Sequence, residues 1–123
     1  MTLQEALISF KNQSLFSPTT EVCGLLGRKD NEYLARSLKN KHPDPKNFFS
    51  IDPLELLKFM RECEMVAVFH SHCSGDSQAS DFDKATSENT LFPFLIYSLS
   101  EKKFSLFEPD GHSCDVTELR SSI

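Results

Sequence analysis

A chain of 123 residues with 39% apolar and 25% charged side chains has the size and balance of one globular domain, 1–123, and neither disorder nor a membrane protein fits that composition. Thirteen basic against eighteen acidic residues leave a formal charge of −5, which argues against a general nucleic-acid surface. No stretch approaches the roughly 20 apolar residues of a membrane span, and Gln4, Glu5 and Lys11 interrupt what would be the apolar core of a signal peptide, so a soluble, cytoplasmic protein is expected.

The first helix is predicted from Thr2 to about Phe16. Thr2 and Glu5 form a capping box, Leu3, Ala6, Leu7 and Phe10 line one face, and Pro18 ends it. Residues 22–28 (VCGLLGR) and 33–38 read as two strands of a hairpin across the polar turn 29–32. A loop over 40–47 contains Pro43 and Pro45, and Lys39, Lys41 and Lys46 with His42 form a basic patch, read as a solvated loop segment. Residues 48–51 are expected as a short strand. A second helix follows, with Asp52 as N-cap, Pro53 at the first position, and Leu56, Leu57, Phe59 and Met60 as its apolar side.

Residues 65–69 (MVAVF) read as a buried strand ending at His70. Extended backbone sends His70 and His72 to one side, because side chains alternate with period two, so both imidazoles can meet one metal ion. Residues 73–79 read as a loop, and Ser80 stands at the start of a helix running to about Thr90. Asp83 in its first turn is favoured in its ionised form by the helix N-terminus. His70, His72 and Asp83 would leave a fourth tetrahedral position open, as catalytic zinc sites do. Each half has a blander reading: two polar residues at a strand end, and an S-x-x-D capping box at Ser80–Asp83. Strands at 94–99 and 104–107, a turn at 101–103 and a last strand over 114–117 complete an α/β or α+β mixed sheet flanked by helices. Cys23, Cys63, Cys73 and Cys114 form no CxxC pair and are expected as free thiols, with Cys23 and Cys63 packing as small hydrophobes.

The spacing H-x-H, seven residues, Ser, two residues, Asp resembles the motif of the JAMM (MPN+, Mov34/PAD-1) metallopeptidases, whose pattern also has a glutamate early in the domain, matched here by Glu21. The resemblance extends over nearly the whole chain. It is strongest to compact prokaryotic and phage members, the N-terminal domain of phage tail assembly proteins among them, through the runs NKHPDPKNFFSIDPLELL, QASDFDKA and LFPFLIYSLS. It implies a JAB/MPN, cytidine-deaminase-like architecture and Zn2+ held by His70, His72 and Asp83. It further implies Glu21 as general acid/base and Ser80 as a donor to the developing oxyanion. Without it, Glu21 would be read as an exposed strand-edge residue. Two positions depart from the family pattern: Cys73 and Ala79 stand where proline is usual. A thiol beside a ligand can bind zinc or respond to oxidation.

Other zinc hydrolase patterns are absent: there is no HExxH, no HxE with a PCxxC partner, and no HxHxDH. The leading expectation is a zinc peptidase or isopeptidase acting on an exposed peptide tail. Candidate substrates are the C-terminus of a ubiquitin-like or sulfur-carrier protein, a phage tail protein, or a peptidoglycan-derived peptide. The alternative is a non-catalytic MPN-type binding or tail-assembly module. No nucleic acid or membrane partner is expected, and the oligomeric state is open.

Overall fold

The computed structural model describes residues 1–73, 80–81, 83 and 92–114. The predicted loop 74–79, the helix predicted to about Thr90 beyond its residues 80, 81 and 83, and the strand predicted past Cys114 lie outside the described residues.

Helix α1 (Leu3–Phe16) starts at the predicted capping box. The Thr2 hydroxyl accepts the Glu5 N–H at 3.1 Å while the Glu5 carboxylate accepts the Thr2 N–H at 2.8 Å. It stops where the Ser17 N–H turns back to the Ser14 carbonyl, one residue before Pro18. Strands β1 (Cys23–Lys29) and β2 (Glu32–Leu38) form the expected hairpin. Asp30 and Asn31 make its two-residue turn, with φ of 53° and 67°, the left-handed pair that matches the twist of paired strands. Helix α2 (Pro53–Glu62) is capped by the Asp52 carboxylate, which accepts the Leu54 N–H at 2.9 Å. Strands β3 (Glu64–His72), β4 (Phe94–Ser98), β5 (Lys103–Phe107) and β6 (Ser113–Cys114) complete the described elements.

The strands form a six-stranded sheet in the order β2-β1-β3-β4-β5-β6. β3 and β4 run parallel and every other neighbouring pair is antiparallel, so this is the predicted α+β mixed sheet flanked by helices. Alternation along the strands separates two cores. On one face α1 packs with Leu26, Ala67, Phe69, Leu95, Tyr97 and Leu106, the Phe10 ring stacked on Phe69 at 4.2 Å. On the other, Phe59 of α2 joins Leu25, Val68, Phe94, Ile96 and Phe107. Fully burying side chains of this size contributes roughly 1.5–3 kcal/mol each. A register shift between Leu26 and Gly27 breaks the alternation, so that the neighbours Val66 and Ala67 both join the core of α1 and Met65 joins that of α2.

Three local expectations are corrected. Residues 48–51 make no strand; the Phe48 carbonyl and the Ser50 N–H bond the Asn40 side chain instead of a ladder partner. β3 does not stop at Phe69 but continues through both histidines, because β4 pairs with it as far as His72↔Ser98. The apolar side of α2 is only partly used: Phe59 is buried, Leu57 is 50% exposed and Met60 44%. The helix touches the sheet along a narrow stripe above Gly27, where an added Cβ would run into Cys63 Sγ and the Phe59 ring. Arg36 closes the edge of that contact, its guanidinium 4.9 Å from the Phe59 ring centroid and paired with Glu62. Among the described residues no helix is long and apolar enough to cross a membrane.

Replacing Gly27 by alanine is expected to push α2 off the sheet. Chemical denaturation should show a loss of about 1–3 kcal/mol, the usual cost of overpacking; an unchanged midpoint would mean that α2 gives way freely.

Candidate metal centre

The C-terminal end of β3 carries an unusual density of buried polar groups. His70 and Ser71 are fully buried, and His72, Asp83 and Glu21 nearly so. Alternation sends His70 and His72 to the α2 face and Ser71 to the α1 face. The Ser71 hydroxyl accepts the Val22 N–H at 3.0 Å, and the Ser71 N–H donates to the Val22 carbonyl at 3.0 Å. This double tie joins the start of β1 to the end of β3.

Register then places Glu21. Cys23 lies opposite His70 in the antiparallel pair. Continuing that register through the Val22–Ser71 tie puts Glu21 opposite His72, on the same face. Glu21 is 7% exposed, against its reading from local sequence as a surface residue. Its backbone is held by the 40–47 loop: its N–H donates to the Pro45 carbonyl at 2.6 Å, and its carbonyl accepts from Asn40 Nδ2 at 2.8 Å. Burial pushes its carboxyl up to about 8; His72 opposes the rise, and the charges of Asp83 and Asp44 add to it.

Asp83 closes the cluster. Its Oδ1 lies 3.0 Å from His70 Nε2 and its Oδ2 2.9 Å from His72 Nε2, while the two Nε2 atoms are 3.3 Å apart. Ser80 and Asp83 also form the predicted reciprocal box: the Ser80 N–H donates to Oδ2 at 3.0 Å, and the Ser80 hydroxyl accepts the Asp83 N–H at 3.1 Å. Burial works against the Asp83 charge, but the histidines and the Ser80 N–H outweigh it and hold the carboxyl well below the usual carboxylate range. Burial drives the His70 imidazole towards its neutral form against the pull of Asp83. An ionised carboxylate and a neutral imidazole are the protonation states of metal ligands.

The donor atoms of these three residues lie within 4.8 Å of one another, so they can hold a metal ion. At ligand distances of ~2.0–2.1 Å, a tetrahedral ion spans donor pairs of roughly 3.3 Å, close to the observed separations. If both imidazoles donated to Asp83, two N–H groups would face each other across 3.3 Å; a shared cation removes that conflict. Cys73 is half-buried and lies outside this group, and burial raises its thiol, which disfavours the reactive thiolate. Cys23, Cys63 and Cys73 are free, as expected.

Two features near the site had no local sequence signal. Phe49, from the stretch read as a strand, is buried with its ring stacked on His70 at 4.3 Å and 15°. A cavity of about 520 Å3 borders Glu21, lined by Phe16, Val22, Leu38, Pro45 and Asn40 among others.

No family model matches the chain. It is 29% identical over 91 residues to the tail tip assembly protein K of Escherichia phage N15, a match covering 74% of this chain and 37% of that protein. It is 40% identical over 62 residues to the desampylase of Pyrococcus furiosus, covering 46% of this chain and 44% of that one. Each match thus takes in less than half of the relative's own length. Together the two support an MPN-like relationship. A solution structure of a protein from Desulfitobacterium hafniense superposes with a TM-score of 0.72 at 26% identity, covering 93% of this chain and 88% of that one, in agreement with the α+β fold.

Glu21 binds its proton more tightly in the folded chain than a free glutamate, whose pKa is about 4.3. Its contribution to metal-free stability is therefore complete below that pH and is lost as pH rises through about 8. Metal-free Glu21→Gln should gain stability relative to the parent across that window and hold a constant advantage above it. Urea titrations at a series of pH values test this, and a pH-independent difference would mean that Glu21 is not buried as an acid.

Proposed function

We propose that residues 1–123 form one JAMM-type zinc peptidase or isopeptidase domain that hydrolyses an amide bond in an exposed peptide tail. In this reading His70, His72 and Asp83 hold zinc, Glu21 carries the proton and Ser80 donates to the oxyanion. The observation that carries it is the convergence of three buried donors within 4.8 Å, with a buried carboxyl opposite one of them in strand register. Zinc bound there supplies a Lewis acid that brings a water pKa towards 7 and polarises a carbonyl.

The remaining steps belong to the chain's own groups. Glu21, buried opposite His72 in the strand register, accepts a proton from the attacking water and returns it to the leaving amine. The Ser80 hydroxyl oxygen already accepts the Asp83 N–H, which leaves its own hydrogen free to donate to the substrate oxygen as charge develops there. Asp83 and the two imidazoles keep fixed positions because the Ser80 box and the β3–β4 pairing hold them.

The desampylase match favours the enzyme reading and a protein substrate, such as the C-terminal tail of a ubiquitin-like or sulfur-carrier protein. The tail tip assembly match favours a phage setting, with a tail protein or peptidoglycan-derived peptide as substrate. It also supports the second reading, an MPN-type assembly module without turnover. Neither reading calls on nucleic acid or membrane, and a cytoplasmic location suits both.

Purified protein should hold zinc near one equivalent, as should Glu21→Gln, whereas His70→Ala and Asp83→Asn should lose it. With a fluorogenic amide on the C-terminus of a ubiquitin-like protein as probe, Glu21→Gln should fall by about 10²–10⁴-fold. A native protein without zinc affinity contradicts the metal reading. Stoichiometric zinc with no turnover of tail-peptide amides favours the assembly module.

A further inference from the structure

We infer that Asn40 is a positioning residue that acts through Phe49, its single amide fixing both the segment that carries Glu21 and the ring that orients His70. The amide uses its whole hydrogen-bonding capacity. Nδ2 donates to the Glu21 carbonyl at 2.8 Å and to the Phe48 carbonyl at 3.0 Å, and Oδ1 accepts the His42 N–H at 3.0 Å and the Ser50 N–H at 3.1 Å. Phe49 is therefore clamped by bonds to the residue on either side of it. The Lys41 N–H adds a third bond to this segment, donating to the Ser50 carbonyl at 3.0 Å.

The clamped residue is the one that meets the metal centre. The Phe49 ring lies flat on His70, and Phe94 packs edge-on against both, at 5.4 Å from His70 and 5.6 Å from Phe49. A metal-binding histidine ordinarily donates its second ring nitrogen to a carboxylate or carbonyl, which fixes the ring. Here the buried His70 Nδ1 has no hydrogen-bond partner among the described residues. Aromatic packing takes over the orienting role, and its geometry depends on where 48–50 lies. Only an amide serves at position 40, since an aspartate offers the two acceptor bonds and neither donor bond.

The inference rests on the zinc reading for its functional consequence, so its test has a metal-free arm. Asn40→Ala, Phe49→Leu, the double variant and a control, Phe59→Leu, which alters the same core away from His70, would be compared with the parent. In metal-free protein with ring-labelled histidine, Asn40→Ala and Phe49→Leu should both shift the His70 ring resonances by NMR, and Phe59→Leu should not. Zinc affinity, measured by competition with a chelator, should weaken about tenfold in each single variant. The double variant should be no weaker than Phe49→Leu, because the two act in series. Phe59→Leu should lower the thermal midpoint at unchanged zinc affinity. Additive losses, or an Asn40→Ala variant with unmoved His70 resonances and reduced stability alone, overturn the inference. A parent that binds no zinc but shows the coupled NMR shifts keeps the positioning role and removes the metal reading instead.

Discussion

The antiparallel register of β1 on β3 is the constraint on which the candidate site depends. Cys23 faces His70, Val22 and Ser71 exchange bonds, and Glu21 follows opposite His72. A one-residue slip would send Glu21 to the α1 face, away from both imidazoles. The Ser71 hydroxyl supports this register from the opposite side of the sheet by accepting the Val22 N–H. A residue that points away from the metal cluster thus helps determine which carboxyl faces it.

The sheet divides its labour accordingly. Its α1 face is an apolar core closed by α1, with Phe10 stacked on Phe69. Its α2 face is apolar only as far as Phe94, Ile96 and Phe49, beyond which lie His70, His72, Asp83 and Glu21. Burying these groups costs free energy unless they pair with one another or with a cation. Natural sequences accept such local conflict chiefly at functional sites. The site also lies at the carboxyl ends of the parallel pair β3 and β4, the end of the strands at which open sheets with parallel strands commonly bind ligands.

What the sequence disclosed depended on the range of the interaction. Thr2–Glu5, Asp52–Pro53 and the Asp30–Asn31 turn act over a few residues, so pattern alone placed them. The shared side of His70 and His72 followed from strand period. Glu21 required either family resemblance or the fold, because what holds it is remote in sequence: Asn40 and Pro45 bond its backbone, and Ser71 ties down its neighbour Val22. Residues 48–51 had the composition of a strand, but Asn40 took their backbone bonds and turned Phe49 onto His70. Leu57 and Met60 share the helical periodicity of Phe59, yet the sheet meets α2 along only one narrow line.

Ser80 and Asp83 show why the structural and functional readings of a motif need not compete. The reciprocal bonds of a capping box are present, and the same Oδ2 that accepts the Ser80 N–H also contacts His72. The box restricts the Asp83 side chain to one arrangement, in which Oδ1 is left for His70. Backbone donors at the start of a helical turn stabilise the charge that burial opposes. In a chain with two histidines at the end of β3, capping the next turn with aspartate fixes a third donor at their distance. The local stabilising device and the last member of the cluster are therefore one carboxylate.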